Sequence, residues 1–226
     1  MRVVLTREAG RNDELSHWLG EGVSKVEVPL TSTRYLDLVD VTETLRASGL
    51  EGQFETLVVS SSRARRYLEV AVRALRKGAV VCSVGPTTTA MLEAQGVAVS
   101  AQALRSSVDL APSITKGPVL QLGALSSRDE LAGELEERGL TVVPVACYET
   151  LPLTVTKDQA DELARADVVI IAAPSAWSVA RDHVAPSTWV VVRGPTTAHA
   201  VRLDHERVLE CWGPPLGPAL AALIDR

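Results

Sequence analysis

Short valine-rich runs alternate along the chain with segments whose apolar residues recur at helical spacing. Runs of this length and composition are typical of buried parallel strands. The predicted strands are Val3–Thr6, Val26–Pro29, Thr56–Ser60, Val80–Val84, Val119–Leu122, Val142–Val145, Val168–Ala172 and Trp189–Val192. The predicted helices between them include Asp13–Gly20, Ala64–Arg76, Thr88–Gln95 and Asp129–Arg138. This alternation predicts an α/β fold in which helices cover a parallel sheet on both faces.

Two unlike motifs recur in the same order, which indicates a duplicated chain. The motif Asp13-Glu14-Leu15, which we call A, recurs as Asp129-Glu130-Leu131. The motif Gly85-Pro86-Thr87-Thr88, which we call B, recurs as Gly194-Pro195-Thr196-Thr197. The order is therefore A–B–A′–B′, and each repeat is too small to bury a core alone. The alternative is the faint self-similarity that all α/β proteins share.

Two segments lack a helical pattern and are predicted to be extended linkers between two lobes. They are Thr31–Thr42 and Ala146–Leu153, both rich in Thr, Tyr and Leu. A chain that crosses twice leaves a cleft whose opening can vary. The predicted domains are a terminal lobe of residues 1–32 and 153–226, a middle lobe of residues 46–145, and linkers of residues 33–45 and 146–152.

Composition and charge narrow the class of protein. The 226 residues are 46% apolar and only 4% aromatic, and the formal net charge is −5. The negative charge argues against sequence-independent nucleic-acid binding, which needs a cationic surface. The longest apolar run, Val168 to Ala173, is far shorter than the ~18 residues of a membrane span, and the start of the chain is charged too early for a signal peptide. We expect a cytoplasmic protein that binds neither nucleic acid nor membrane.

Familiar catalytic and metal-binding signatures are missing from the sequence. There is no Gly-rich dinucleotide motif, no P-loop and no Gly-x-Ser-x-Gly elbow. The three cysteines are odd in number and widely spaced, which argues against a disulfide framework or a zinc site. The four histidines have no metal-ligand spacing, so we expect no metal site.

Small polar residues follow six of the predicted strands. The first pair of turns is Ser60-Ser61-Ser62-Arg63 with Pro174-Ser175, the second is the two B motifs, and the third is Thr6-Arg7 with residues 123–128. Ligands of parallel sheets bind at the carboxyl ends of the strands, where such turns gather. We expect each B helix to start at its threonines, whose hydroxyls can cap it, and the free N–H groups there favour an anion. Hydroxyls, N–H groups and arginines without a nucleophile–base pair suit a polyanionic ligand.

Taken as an ordered set, these motifs resemble uroporphyrinogen-III synthase over nearly the whole chain. The matching segments are Val4–Arg7, Val59–Ala64, Gly85 with Thr88, Arg128–Gly139, Tyr148–Thr150, Pro174–Ala176 and Gly194–Ala198. The resemblance implies two α/β lobes with parallel sheets and flanking helices, joined by a two-stranded linker. It also implies a cofactor-free lyase that cyclises hydroxymethylbilane with loss of water and inversion of ring D in haem biosynthesis. We expect a monomer whose partner is this small substrate with eight carboxylates.

The resemblance also implies site residues. Tyr148 is the candidate catalytic residue, which would assist departure of the substrate hydroxyl; a linker tyrosine with a satisfied hydroxyl is the alternative. The candidate substrate-binding residues are Arg7, Ser61, Ser62, Arg63, Gly85, Thr88, Ser175, Ala176, Gly194 and Thr197. Ser62 stands where the family often has Pro, and Ala173 where it often has Ser. Neither change removes backbone N–H donors.

Two other functions fit the same pattern. A two-lobed small-molecule binding protein would hold a ligand unchanged, although such proteins usually carry more aromatic stacking residues than 4%. A non-catalytic regulator on the synthase fold would lack turnover, and the changes at Ser62 and Ala173 are compatible with it.

Overall fold

The computed structural model describes residues 1–104, 106–126 and 130–224. The chain divides into two compact units, a terminal unit of residues 1–33 with 150–226 and a middle unit of residues 34–149. This division assigns every residue to one of the two units and distinguishes no separate linker, so the linker limits given above stay a prediction. The predicted residues Ser127, Arg128 and Asp129 lie outside the described ranges.

The terminal unit contains a five-stranded sheet in which every neighbouring pair is parallel. Its strands are β1 (Arg2–Leu5), β2 (Ser24–Glu27), β9 (Val168–Ile171), β10 (Trp189–Val192) and β11 (Val208–Glu210), in the order β11-β10-β9-β1-β2. The α-helices of this unit are α1 (Asp13–Leu19), α6 (Lys157–Ala164), α7 (Pro174–Ala180), α8 (Pro195–Arg202) and α9 (Leu216–Ile224). A short 3₁₀ helix, Arg181–His183, follows α7.

The middle unit contains a six-stranded sheet. Its strands are β3 (Thr31–Tyr35), β4 (Phe54–Val59), β5 (Leu75–Val84), β6 (Ala101–Ala103), β7 (Val119–Ala124) and β8 (Val142–Pro152), in the order β3-β8-β7-β4-β5-β6. The pairings from β8 to β6 are parallel. The α-helices are α2 (Leu38–Ala47), α3 (Leu68–Arg73), α4 (Pro86–Glu93) and α5 (Glu130–Glu137), with 3₁₀ helices at Ser62–Tyr67 and Ser107–Ser113.

Apolar side chains alternate between the two faces of each sheet. In β1, Val4 joins one buried cluster of the terminal unit, while Val3 and Leu5 join the other. In β4 of the middle unit, Val58 joins one cluster, and Leu57 and Val59 join the other. Both faces of each sheet are therefore buried, which confirms the prediction of a parallel sheet covered on both sides and explains the continuous valine runs.

The two sheets share one strand order, which agrees with the predicted duplication. The order β11-β10-β9-β1-β2 in the terminal unit corresponds, strand by strand, to β6-β5-β4-β7-β8 in the middle unit. In this comparison β5, which precedes the first B motif, corresponds to β10, which precedes the second. The terminal unit thus combines A with B′, and the middle unit combines B with A′. The chain passes from one unit to the other within β3 and β8, which are neighbours in the six-stranded sheet.

Several predicted elements need correction. The segment Thr31–Thr42 is extended only in β3, and α2 begins at Leu38, capped by the Asp37 carboxylate, which accepts from the Val39 N–H at 3.0 Å. The predicted helix Ala64–Arg76 runs too far, because Leu75 and Arg76 already belong to β5. The prediction also lacks β6 and β11, two edge strands of three residues each.

Candidate functional site

The parallel topology brings the candidate residues of the terminal unit to one edge of its sheet. Arg7 follows β1, Ser175 and Ala176 follow β9, and Gly194 and Thr197 follow β10. These three strands are consecutive neighbours, and the carboxyl ends of parallel strands meet at the same edge. These turn residues therefore lie along one edge of the sheet of the terminal unit.

The middle unit gathers its candidates in the same way. Ser61, Ser62 and Arg63 follow β4, while Gly85 opens the turn after the neighbouring strand β5. Thr88 lies in the first turn of the helix that begins there. Tyr148 pairs with Ala124, the last residue of β7, at a shift in the β7–β8 register. All these residues thus lie at the carboxyl edge of one sheet.

The two B turns have different backbone geometry although their sequences are identical. Gly85 has φ +80° and ψ 150°, a conformation that is essentially restricted to glycine. Gly194 has φ −171° and ψ 179°, which is extended backbone that any residue adopts. The Gly85 N–H donates to the Ala103 carbonyl at 2.7 Å, so β6 fixes the first turn.

The threonines do not cap the helices as the sequence predicted. Both helices begin at the proline, with the glycine as N-cap and no side-chain capping bond. Proline lacks the N–H that a cap would satisfy and its φ fits the first helical position, so the helix starts before the threonines. Thr88 and Thr197 are the third residues of α4 and α8, and both are buried.

The N–H groups at the two helix starts also differ. In α4, the N–H groups of Thr88 and Thr89 donate to the Gly85 carbonyl at 3.1 and 3.2 Å. In α8, the Gly194 carbonyl accepts from the Ala198 N–H at 2.9 Å. The N–H groups of Thr196 and Thr197 come before this first helical hydrogen bond and have no partner within the helix. The terminal-unit turn therefore presents more backbone donors than the middle-unit turn.

Thr89, which the sequence analysis did not select, orders the middle-unit turn. Its hydroxyl lies 2.7 Å from the Ser83 hydroxyl and donates to Gln102 Oε1 at 2.6 Å. These contacts tie α4 to β5 and to β6. Any of the three consecutive threonines could make such contacts in a linear sequence, and only the helix phase selects Thr89.

The serine turn after β4 is a capped helix start. The Ser61 hydroxyl accepts from the Arg63 N–H at 3.2 Å, which begins the 3₁₀ helix Ser62–Tyr67. The hydroxyl of Ser60 is buried without a hydrogen-bond partner among the described residues. Arg63 turns back toward Tyr148, with its Cζ 5.5 Å from the centre of the tyrosine ring.

Tyr148 is buried, with 7% of its surface exposed, and its ring packs into the larger core cluster of the middle unit. Its backbone carbonyl accepts from the Leu125 N–H at 2.7 Å, which holds it at the end of β7. In the described part of the chain its hydroxyl makes no hydrogen bond, whereas the Tyr67 hydroxyl in the same cluster donates to the Leu36 carbonyl at 2.6 Å. The two tyrosines of this cluster thus differ in whether the hydroxyl is bonded within the described residues.

The terminal-unit turns combine a buried hydroxyl with paired charge. The Thr6 hydroxyl donates to the Ile170 carbonyl at 2.6 Å and joins the ends of β1 and β9. Arg7 lies 3.9 Å from the Glu14 carboxylate. Ser175 is partly buried at the start of α7, where its carbonyl accepts from the Ser178 hydroxyl at 2.8 Å.

Three further residues lie beside these turns and were missed by sequence reasoning. Arg65 and Arg66 are exposed on the 3₁₀ helix that follows Ser61, and the Arg66 guanidinium lies 5.4 Å from each of the Tyr35 and Tyr67 rings. Arg193 immediately precedes Gly194 and lies over the Trp212 ring. Their basic character was visible in the sequence, but Tyr35 and Trp212 are distant from these arginines along the chain and meet them only in the fold.

Metal-binding and membrane-spanning features were sought in the described ranges. There, no three His, Cys, Asp or Glu side chains lie close enough together to hold a metal ion. Across the same residues, no helix has the length and apolarity that a bilayer span requires.

Solved structures share this fold. A mutant uroporphyrinogen III synthase from the extreme thermophile Thermus thermophilus has a TM-score of 0.65 at 19% identity, covering 99% of this chain and 97% of its own. The uroporphyrinogen-III synthetase of Helicobacter pylori has a TM-score of 0.60 at 17% identity, covering 100% of this chain and 99% of its own. At these identities the likeness concerns the fold.

A family comparison goes further. Comparison with curated proteins gives no significant match. The family model described as uroporphyrinogen-III synthase HemD matches residues 18–210, a range that holds every candidate site residue except Arg7. Since this match spans most of the chain, the protein belongs to the uroporphyrinogen-III synthase HemD family.

Proposed function

We propose that this chain is an active uroporphyrinogen-III synthase, a lyase that closes hydroxymethylbilane into uroporphyrinogen III with loss of water. The observation that supports it most is the family match over residues 18–210, which contains every candidate polar turn except Thr6-Arg7. Membership alone does not guarantee turnover, so the residues must supply substrate binding, departure of the hydroxyl and choice of isomer.

Substrate binding is proposed to use the polar turns at the carboxyl edges of the sheets. The substrate carries eight carboxylates, and the candidate turns offer backbone N–H groups, serine hydroxyls and arginines rather than a nucleophile. A helix N-terminus contributes about 0.3–1 kcal/mol per anionic charge when exposed. In the middle unit, the residues proposed to contact substrate carboxylates are Ser61, Ser62, Arg63, Gly85 and Thr88.

The terminal unit offers carboxylate-binding groups of the same kind. The N–H groups of Thr196 and Thr197 point out of the start of α8, beyond the end of β10. Arg7, Ser175 with Ala176, and Gly194 lie along the same edge. Many moderate contacts of this kind can hold a polyanion on a chain whose net charge is −5.

Tyr148 is proposed to assist departure of the substrate hydroxyl. Its phenol would donate a proton to the leaving oxygen as the carbon–oxygen bond breaks, releasing water and leaving the positive charge on the bilane. The Arg63 guanidinium lies 5.5 Å from the centre of the ring and joins Tyr148 to the serine turn after β4. Two features support this role: the hydroxyl makes no hydrogen bond in the described residues, and the ring is held by core packing.

The remaining task is selection between two ring closures. Hydroxymethylbilane closes by itself to the uninverted type I isomer, so the enzyme must favour attack at the substituted carbon of ring D. Holding direct closure near one per cent requires about 2.7 kcal/mol of discrimination between the two transition states. Orientation of a multiply bound substrate supplies energies of that size.

The deciding experiment supplies freshly made hydroxymethylbilane to the purified protein and identifies the uroporphyrin isomers after oxidation. Predominantly type III product, formed in proportion to protein concentration, is the expected result. The type I product of the uncatalysed reaction would refute the proposal and favour a binding protein or a non-catalytic regulator.

A further inference from the structure

Arg193 is held in place by an aromatic side chain rather than by an acidic one. Its Cζ lies 5.8 Å from the centre of the Trp212 ring. Trp212 in turn meets the Trp18 ring edge-on, with 6.1 Å between ring centres, and it packs against a core cluster of the terminal unit. An arginine lying over an aromatic face keeps the N–H donors at the edge of its guanidinium free.

The charge of Arg193 is not used within the described part of the chain. Some arginines of the terminal unit lie within 4 Å of a carboxylate, as Arg2 does with Glu162 and Arg165 does with Asp161. Arg193 is exposed and makes no such ion pair there, although the chain carries a formal net charge of −5. A positioned cation without an anion is available to an external one.

Arg193 also lies at the edge where the candidate substrate-binding turns gather. It follows Val192, the last residue of β10, and Val192 is in register with Glu210 at the end of β11. Trp212, two residues beyond that end, is thereby brought beside it. The neighbouring residue Gly194 begins the turn that presents the N–H groups of Thr196 and Thr197.

The same unit contains a second arginine over a tryptophan, which serves as a reference. Arg207 lies with its Cζ 5.8 Å from the centre of the Trp189 ring, but at the amino ends of β10 and β11. Arg207 also donates to the Ser187 carbonyl at 3.1 Å, so one of its donors is used. The two pairs share their chemistry and their distance and differ in the edge of the sheet.

We propose that Arg193 binds a carboxylate of the substrate and that Trp212 positions it. This inference rests on the proposed function and adds to it a residue specific to the terminal unit. A guanidinium can bind a carboxylate through two parallel N–H···O bonds while its face rests on the indole. The backbone donors of Thr196 and Thr197, next to Arg193 along the chain, would contact the same or an adjacent acidic group.

The test compares Arg193→Gln with Arg207→Gln, since both variants remove one charge and one stacked guanidinium. We measure kcat and KM for hydroxymethylbilane and, by tryptophan quenching, the Kd for uroporphyrin III, a stable octacarboxylate. Arg193→Gln is expected to raise KM and Kd about tenfold with little change in kcat, consistent with loss of a charge-assisted pair. It should also flatten the salt dependence of Kd. Arg207→Gln should leave all these quantities within about twofold of the wild type, because its donors face the opposite edge.

Variants at Trp212 test the positioning role. Trp212→Leu should weaken uroporphyrin binding in the wild type and add little in the Arg193→Gln background, whereas Trp212→Phe should restore most of the affinity. Circular dichroism and the Tm of each variant establish that it is folded. Equal effects of Arg193→Gln and Arg207→Gln, or additive effects of Arg193→Gln and Trp212→Leu, would overturn the inference.

The experiment separates this inference from the proposed function. A wild-type protein that yields only type I product fails the proposed function, while a tenfold loss of uroporphyrin affinity in Arg193→Gln still supports the carboxylate site. A wild-type protein that forms type III product while Arg193→Gln keeps the wild-type KM and Kd retains the function and overturns the inference.

Discussion

At the scale of single residues, two tyrosines of one core cluster have hydroxyls in opposite situations. Tyr67 donates to the Leu36 carbonyl at 2.6 Å, whereas the Tyr148 hydroxyl makes no hydrogen bond within the described residues. Tyr148→Phe should therefore lower kcat, by about 10²-fold if the phenol acts as a general acid, and leave stability unchanged. Tyr67→Phe should lower the free energy of unfolding by about 1 kcal/mol, because a part-buried hydrogen bond is lost.

Turnover of hydroxymethylbilane and urea unfolding of both variants provide the check. The expected outcome is a crossed pattern in which each substitution changes one quantity and not the other. Unchanged turnover in Tyr148→Phe would remove its role as an acid and leave it a packed aromatic residue of β8.

A buried thiol makes stability depend on alkaline pH. Burial raises the pKa of Cys147 from 9.0 to about 12. Between these values the thiol loses its proton in the unfolded chain but keeps it in the folded protein. Its contribution to the free energy of unfolding is therefore fully present below pH 9 and is lost as the pH rises toward 12. From about pH 7.5 to about pH 10.5 the wild type should lose about 2 kcal/mol more unfolding free energy than Cys147→Ala.

Comparison with the alanine variant isolates the thiol. Burial also raises the pKa of Tyr67 in both proteins, and Cys147 adds to that rise, so the difference between the two proteins reports the thiol together with its effect on Tyr67. Urea unfolding under reducing conditions at the two pH values measures it. Parallel losses in wild type and variant would show that Cys147 does not cause the alkaline instability.

Sequence reasoning could locate turn residues but not the partners that side chains acquire in the fold. Ser61, Gly85 and Gly194 each adjoin a strand in sequence, so the hydrophobic pattern alone places them at a sheet edge. Arg193 and Trp212 belong to different strand ends, and only the pairing of β10 with β11 brings them together. No local periodicity contains that information.

At the scale of elements, the two B turns show that identical sequences need not use glycine for the same reason. Gly85→Ala should cost about 1–3 kcal/mol, because φ +80° with ψ 150° is strained for any residue with a Cβ. Gly194→Ala should change stability by less than about 0.5 kcal/mol, since its backbone is extended and a Cβ there meets nothing within 4 Å.

Urea unfolding of the two glycine variants side by side measures this asymmetry. The matched pair controls for the substitution itself, because both glycines precede a proline at a helix start. Equal losses would mean that the two turns share one backbone geometry, contrary to the structure.

The elements that the sequence predicted poorly are those whose identity depends on neighbours. Helix α2 contains Val41 and Leu45 at helical spacing and a capping Asp37, yet its threonines and valines also suit a strand. Leu75 continues the apolar pattern of α3 but pairs with Phe54 in β4. Strands β6 and β11 are too short to show periodicity, and only an adjacent strand defines them.

At the scale of the whole molecule, the duplication explains how one chain builds two similar sheets. The segments that contain motif A and its copy supply the strand pairs β1–β2 and β7–β8. The segments that contain motif B and its copy supply the strands β4–β6 and β9–β11. Because A pairs with B′ and B with A′, the terminal unit needs both ends of the chain. The middle unit needs only one continuous segment.

This difference predicts unequal behaviour of fragments. Both buried clusters of the middle unit lie entirely within residues 34–149, so this segment carries its own core. It should fold alone, with a cooperative urea transition and dispersed amide NMR signals.

A fragment of residues 150–226 lacks β1, which pairs with β9 through Val3 and Val168 in the intact chain, and should remain unfolded until residues 1–33 are added. Circular dichroism of the two fragments, separately and with the N-terminal peptide, measures both expectations. An unfolded 34–149 fragment, or a folded 150–226 fragment, would show that the cores are not partitioned as the buried clusters indicate.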